Sequence, residues 1–143
     1  MSEATVHARW CLVFGAWIVS LAATLGALFL GEVMGMAPCE LCWYQRIAMF
    51  PLAVILYLGL RPFDVNSIRY AMPLAAIGWL VAAYHCLLFW EVIAEDIVQC
   101  GPGPSCKDVD VQVAGILPIP MLSLGAFTLI IVLLLLAKRK VES

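Results

Sequence analysis

The sequence predicts an all-α membrane protein, a four-transmembrane-helix bundle with both termini cytoplasmic. Three observations lead there. Of 143 residues, 64% are hydrophobic, and the mean hydropathy is +1.01, more apolar surface than one soluble core of this size could bury. Four apolar stretches each approach the length that crosses roughly 30 Å of hydrocarbon. Lysine and arginine are distributed unevenly about those stretches, which fixes an orientation.

The first stretch, Trp10 to Leu30, is longer than the roughly 7 to 15 apolar residues of a signal peptide and is followed by no clear cleavage site, so it reads as a retained helix. Along it Ala16, Ser20, Ala23, Ala27 and Gly31 form a stripe of small residues on which a neighbouring helix can pack closely. The second runs from Trp43 to Leu60 and contains Pro51, which should kink it. The third runs from Tyr70 to Trp90, with Pro73 expected in its first turn, and the fourth from Met121 to Ala137. Trp43, Tyr44 and Trp90 fit an interfacial aromatic belt.

Positively charged short loops stay in the cytoplasm. With both termini inside, Arg9, Arg61, Arg69, Lys138, Arg139 and Lys140 are cytoplasmic, and only Lys107 and the span-edge Arg46 lie towards the outside. The outer loops are then residues 31–42 and 91–120, and both clustered cysteine pairs fall on them. The formal net charge of −2, with 13% charged residues, leaves no basic stripe for nucleic-acid phosphates. No repeat or second domain is visible, so residues 1–143 read as one transmembrane domain.

The chemistry concentrates in Pro38-Cys39-Glu40-Leu41-Cys42-Trp43-Tyr44-Gln45-Arg46, where the first outer loop enters the second helix. Pro38 favours helix initiation, and the unpaired N–H groups of a first turn stabilise a thiolate, the reactive form of cysteine. Two intervening residues let the sulfurs of Cys39 and Cys42 close into a readily exchanged disulfide. Arg46, four residues after Cys42, shares its helix face about one turn deeper. A cation there can hold Cys42 as a thiolate and hydrogen-bond an electron-accepting carbonyl; the alternative is that it snorkels to the headgroups.

A second pair, Cys100 and Cys106, encloses Gly101-Pro102-Gly103-Pro104-Ser105, a turn-forming run that makes a disulfide sterically plausible. It reads either as an inert staple or, beside a reactive dithiol facing the same compartment, as a second redox pair. Cys11 and Cys86 read as small apolar core residues. His85, at the depth of the dithiol, is either a packed side chain or a cofactor contact.

Together these features resemble the disulfide bond formation protein B (DsbB-like) family of quinone-linked thiol oxidases, including its shorter C-type members. The resemblance spans the four helices, residues 38–46, the paired cysteines of the second outer loop, Tyr84-His85, and Ile119-Pro120-Met121-Leu122-Ser123-Leu124. It implies a protein of the bacterial cytoplasmic (inner) membrane, with a secreted thioredoxin-like (DsbA-like) partner and the membrane quinone pool, ubiquinone or menaquinone. It further implies that Cys39 with Cys42 and Cys100 with Cys106 are redox-active disulfides. The partner would meet Cys100, electrons would pass to Cys39 and Cys42, and Cys42 with Arg46, together with His85, would face the quinone, with no metal involved. The close spacing of Cys100 and Cys106 departs from longer members, which separate this pair widely.

Three rivals are distinguishable. A vitamin K epoxide reductase-like thiol reductase would place its dithiol at the last helix, not the second. A transmembrane thiol-electron carrier would need cysteines within its spans that reach both sides. A scaffold binding structural zinc through Cys39, Cys42, Cys100 and Cys106 would leave Arg46 unexplained.

Overall fold

A computed structural model describes residues 3–90, 92, 112–113 and 117–142. Four helices make up nearly all of it: α1 (Glu3–Leu28), α2 (Glu40–Leu60), α3 (Asn66–Phe89) and α4 (Ile119–Glu142). A π-helical turn, Phe29–Val33, continues α1. Two short strands, β1 (Gln112–Val113) and β2 (Leu117–Pro118), pair antiparallel, with Gln112 opposite Pro118 and Val113 opposite Leu117. Each helix packs against its neighbours in chain order, and α4 closes the ring against α1.

All four helices are long and apolar enough to cross a membrane. Their outward faces carry Leu25, Ile47, Val54, Leu58, Leu80 and Leu129, apolar side chains that in water would form a continuous adhesive surface and in lipid are simply solvated. This is consistent with a multi-pass membrane protein. The bundle's interior is built from Val13 and Ala16 of α1, Leu52 and Leu56 of α2, Ala71 and Ala75 of α3, and Phe127, Ile130 and Leu134 of α4.

Lipid tails are as apolar as leucine, so helix association in a membrane rests on close packing rather than on expulsion of water. The small residues supply it. Ala16 and Ser20 are fully buried and Ala23, Ala27 and Gly31 partly so, which places the stripe on the inner face of α1. Phe127 of α4 lies against the backbone of Gly78 so closely that a Cβ there would overlap its ring. Three hydroxyls inside the helices return their hydrogen bonds to the preceding turn: Ser20 to the Trp17 carbonyl (2.8 Å), Ser123 to that of Pro120 (2.9 Å), and Thr128 to that of Leu124 (2.7 Å). Thr128 also accepts the Trp79 indole N–H at 2.9 Å, tying α3 to α4.

The helices extend past the apolar stretches, chiefly at the end that carries the chain termini. Two expectations change in consequence. Asp64 Oδ1 accepts the Asn66 N–H (2.9 Å), so α3 begins among the polar residues Asn66 and Ser67 and Pro73 lies in its interior, not in its first turn. Arg9, expected outside the span, lies within α1 and is fully buried, its guanidinium 5.7 Å from the centre of the Phe63 ring. Cys86 is buried as expected, but Cys11 faces outward, since its position on α1 falls on the lipid side.

Candidate active site

Gly35 adopts a positive φ (+66°), which a Cβ would oppose, and turns the chain from the end of α1 towards Pro38. Cys39 is then the N-cap of α2, in extended backbone (φ −68°, ψ 167°), and its sulfur accepts the Cys42 N–H at 3.4 Å. The helix start therefore directs a backbone donor to the first sulfur of the pair. One turn on, Cys42 Sγ lies 2.9 Å from Cys39 Sγ and accepts the hydrogen bond of the Cys39 thiol. Closing the ~2.05 Å bond of a disulfide from there needs side-chain rotation rather than movement of the backbone.

The two sulfurs differ in surroundings. Cys39 is buried against Leu41 and Leu88, while Cys42 is half-buried at the edge of the same cluster, with Val81 and Tyr84. Cys39 lies just outside the α2 span. The hydrogen bond it donates to Cys42, followed by burial, pushes its thiol up to about 12, outweighing the lowering from His85. Cys39 is thus held as a thiol, hydrogen-bonded to Cys42 Sγ.

His85 comes from α3 to the same place. It is 1% exposed, its Nε2 is 3.9 Å from Cys39 Sγ, and its Nδ1 is hydrogen-bonded to Gln45 Nε2 at 3.1 Å. Both ring nitrogens are turned to protein groups. The donor atoms of Cys39, Cys42 and His85 all lie within 4.8 Å of one another. Gln45, part of the motif but given no role by the sequence, orients this ring; its position three residues after Cys42 on a shared helix face was the available signal.

Arg46 takes a direction the sequence did not suggest. Its Nη2 donates to the Ala27 carbonyl of α1 at 2.8 Å, beside the change from α to π geometry, and its guanidinium lies 5.6 Å from the centre of the Trp43 ring. Gly31, the last of the small-residue stripe, lies directly under it: a Cβ there would fall 3.2 Å from both terminal nitrogens. Arg46 is partly buried and anchored to the α1 backbone.

Of the predicted site residues, Cys39, Cys42 and His85 come together, and Arg46 follows Cys42 along α2. Cys100 and Cys106 lie outside the described residues. The dithiol opens the second helix, not the last. An apolar groove of about 440 Å³, lined by Trp90, Met121, Leu124, Gly125, Thr128, Leu129 and Val132, lies along α4 and shares no residue with the dithiol site.

Residues 8–137 match the family model for disulfide bond formation protein DsbB. The chain is 46% identical to a probable disulfide formation protein of Metapseudomonas resinovorans, covering 92% of each chain. It is 37% identical to disulfide bond formation protein C of Bacillus subtilis, covering 91% of this chain and 94% of that one. It is 38% identical to an SPbeta prophage-derived disulfide bond formation protein B of the same organism, covering 91% and 85%. No solved structure matches the chain. With the family model spanning most of the sequence and a paired thiol at the head of α2, the chain belongs to the DsbB family of disulfide bond formation proteins, which implies an oxidoreductase activity.

Proposed function

We propose that the protein is a membrane thiol:quinone oxidoreductase that reoxidises a secreted thioredoxin-like partner and delivers the electrons to membrane quinone. The observation that carries this reading is the asymmetric dithiol at the mouth of a membrane span, with the Cys39 thiol donating a hydrogen bond to Cys42 Sγ and Arg46 following on the same helix. Such a pair can form its disulfide only by giving up two electrons. An acceptor that resides in the bilayer and carries carbonyl oxygens fits a guanidinium and an aromatic face held against each other in the turn of α2 that follows Cys42.

Family membership supports the order of transfer. A partner thiolate attacks Cys100, forming an intermolecular disulfide and releasing Cys106 as a thiolate. The partner's second thiol resolves it, leaving Cys100 and Cys106 reduced. Exchange with the Cys39–Cys42 disulfide then moves both electrons to the α2 pair and closes Cys100 with Cys106 again. Cys42 presents its sulfur to the quinone, with Arg46 and Trp43 the neighbouring groups that would hold the ring. Cys39 releases its proton and bonds to Cys42, restoring the disulfide. His85 belongs in this scheme beside Cys39, where its Nε2 is turned towards the thiol. The quinone, when bound, accepts two electrons and two protons and leaves as quinol.

The distribution of lysine and arginine supports both termini in the cytoplasm and the dithiol on the opposite face. The test is oxygen-free turnover: the full chain in detergent is mixed with a reduced thioredoxin-like oxidant and a soluble quinone. One quinol should form per partner disulfide, and Cys100→Ser should stop partner oxidation. Partner oxidation at an unchanged rate without quinone would refute the reading.

A further inference from the structure

We propose that reduced Cys39 and Cys42, together with His85, form a three-donor site for a thiophilic divalent cation, Zn²⁺, that binds in competition with disulfide closure. The inference needs only two thiols and an imidazole, and does not rest on the quinone reading.

The donor set is the first argument. Two thiols and an imidazole are the ligand types zinc prefers, and here their donor atoms fall within 4.8 Å of one another at the edge of an apolar cluster. A tetrahedral centre with Zn–S of about 2.3 Å and Zn–N of about 2.0 Å holds neighbouring donors roughly 3.5–3.8 Å apart. Cys39 Sγ and His85 Nε2, at 3.9 Å, are already close to that separation. The sulfurs, at 2.9 Å, must part by a little under ~1 Å. Cys42 is the half-exposed member and can rotate outward to do so.

Gln45 is the second, independent argument. Ligating histidines hold their other ring nitrogen against a polar group that fixes ring and tautomer. Gln45 occupies that position behind His85 at 3.1 Å. A carboxamide can donate or accept after a half-turn, so its oxygen can take the Nδ1–H while the Nε2 lone pair faces the cysteines. Cys42 is the partly exposed ligand, so water can reach the site from its side and complete the shell, as at zinc sites with three protein ligands.

Binding exchanges protons, not electrons. Zn²⁺ displaces the protons of both thiols and leaves two metal-bound thiolates, so the disulfide form, which has no thiolate to offer, cannot bind. Conversely, a cation holding both sulfurs prevents their bonding to each other, and so arrests the pair in the reduced state. The sequence suggested zinc through four cysteines of two loops; the structure substitutes a histidine from α3, a contact spanning 46 residues of chain.

The experiment uses the full chain in detergent with Cys100→Ser and Cys106→Ser, so that only the α2 pair can respond, reduced and desalted without oxygen. It is titrated with Co²⁺ as a spectroscopic probe and then with Zn²⁺. One equivalent of Co²⁺ should give thiolate-to-metal absorption with the visible bands of a tetrahedral site, and Zn²⁺ should erase both. Cys39→Ser and His85→Ala should each weaken binding by about tenfold or more. One equivalent of Zn²⁺ should shield Cys42 from alkylation in the parent chain, a readout that stands even where His85→Ala fails to fold. Absence of thiolate absorption in the reduced parent, or binding unaltered by Cys39→Ser and His85→Ala, would overturn the proposal.

Discussion

At the residue scale the site depends on an inequality between two sulfurs. Cys39 is buried, donates to Cys42 and is pushed up to about 12, so in metal-free reduced protein it stays a thiol well above the ordinary 9.0. Alkylation between pH 7 and 9 should therefore label Cys42 first and Cys39 at least about tenfold more slowly, as mass spectrometry of peptides would show. The sign for stability follows. An unfolded Cys39 ionises near 9.0 and the folded one near 12, so the thiol's preference for the folded reduced state is complete below pH 9 and lost as pH rises through 12. Gly31 should be as demanding as a catalytic residue without touching substrate: Gly31→Val pushes the Arg46 guanidinium off the Ala27 carbonyl. It should slow quinone reduction by about tenfold, the scale of a lost or displaced charge-assisted hydrogen bond, while circular dichroism of the helices stays unchanged. The sequence made Cys39, Cys42 and Arg46 conspicuous because Cys-x-x-Cys and a charge within a span are local patterns. It put His85 at the depth of the dithiol, but not in contact with Cys39, and it assigned Gln45 nothing, because those contacts cross 46 and 40 residues of chain and depend on how α2 and α3 pack.

At the scale of the element, hydropathy marks where lipid begins and ends, while hydrogen bonding marks where helix begins and ends. The two disagree by several residues at the polar ends, which is why Arg9 and Pro73 fall inside helices. The small residues of α1 were legible as a packing stripe, yet the consequence of the last of them was not: Gly31 accommodates a side chain rather than a helix. Gly78 shows the ordinary use of the same feature. Gly78→Val would drive a side chain into Phe127, and should destabilise the α3–α4 contact by about 1–3 kcal/mol, the usual cost of overpacking. Thermal unfolding in detergent should show the loss, and Phe127→Ala in the same chain should restore part of it by making room.

At the scale of the molecule, four helices in a ring set the start of α2 and the end of α3 side by side, which brings a dithiol and a histidine together at one end of the bundle. The apolar groove along α4 is separate from this site. Four spans, their order and the place of the dithiol were all legible, because each follows from local composition. The arrangement of the ring was not, since it follows from which small residues admit which neighbours. In the proposed function the α2 pair itself reduces a quinone. The direct test is single-turnover mixing, without oxygen or metal, of the reduced Cys100→Ser, Cys106→Ser chain with a soluble quinone, following quinone absorbance. One quinone should be reduced per chain, with Cys39 and Cys42 left as a disulfide and no reaction in Cys42→Ser. An inert quinone before a folded, fully reduced pair, or equal reduction by Cys42→Ser, would contradict it.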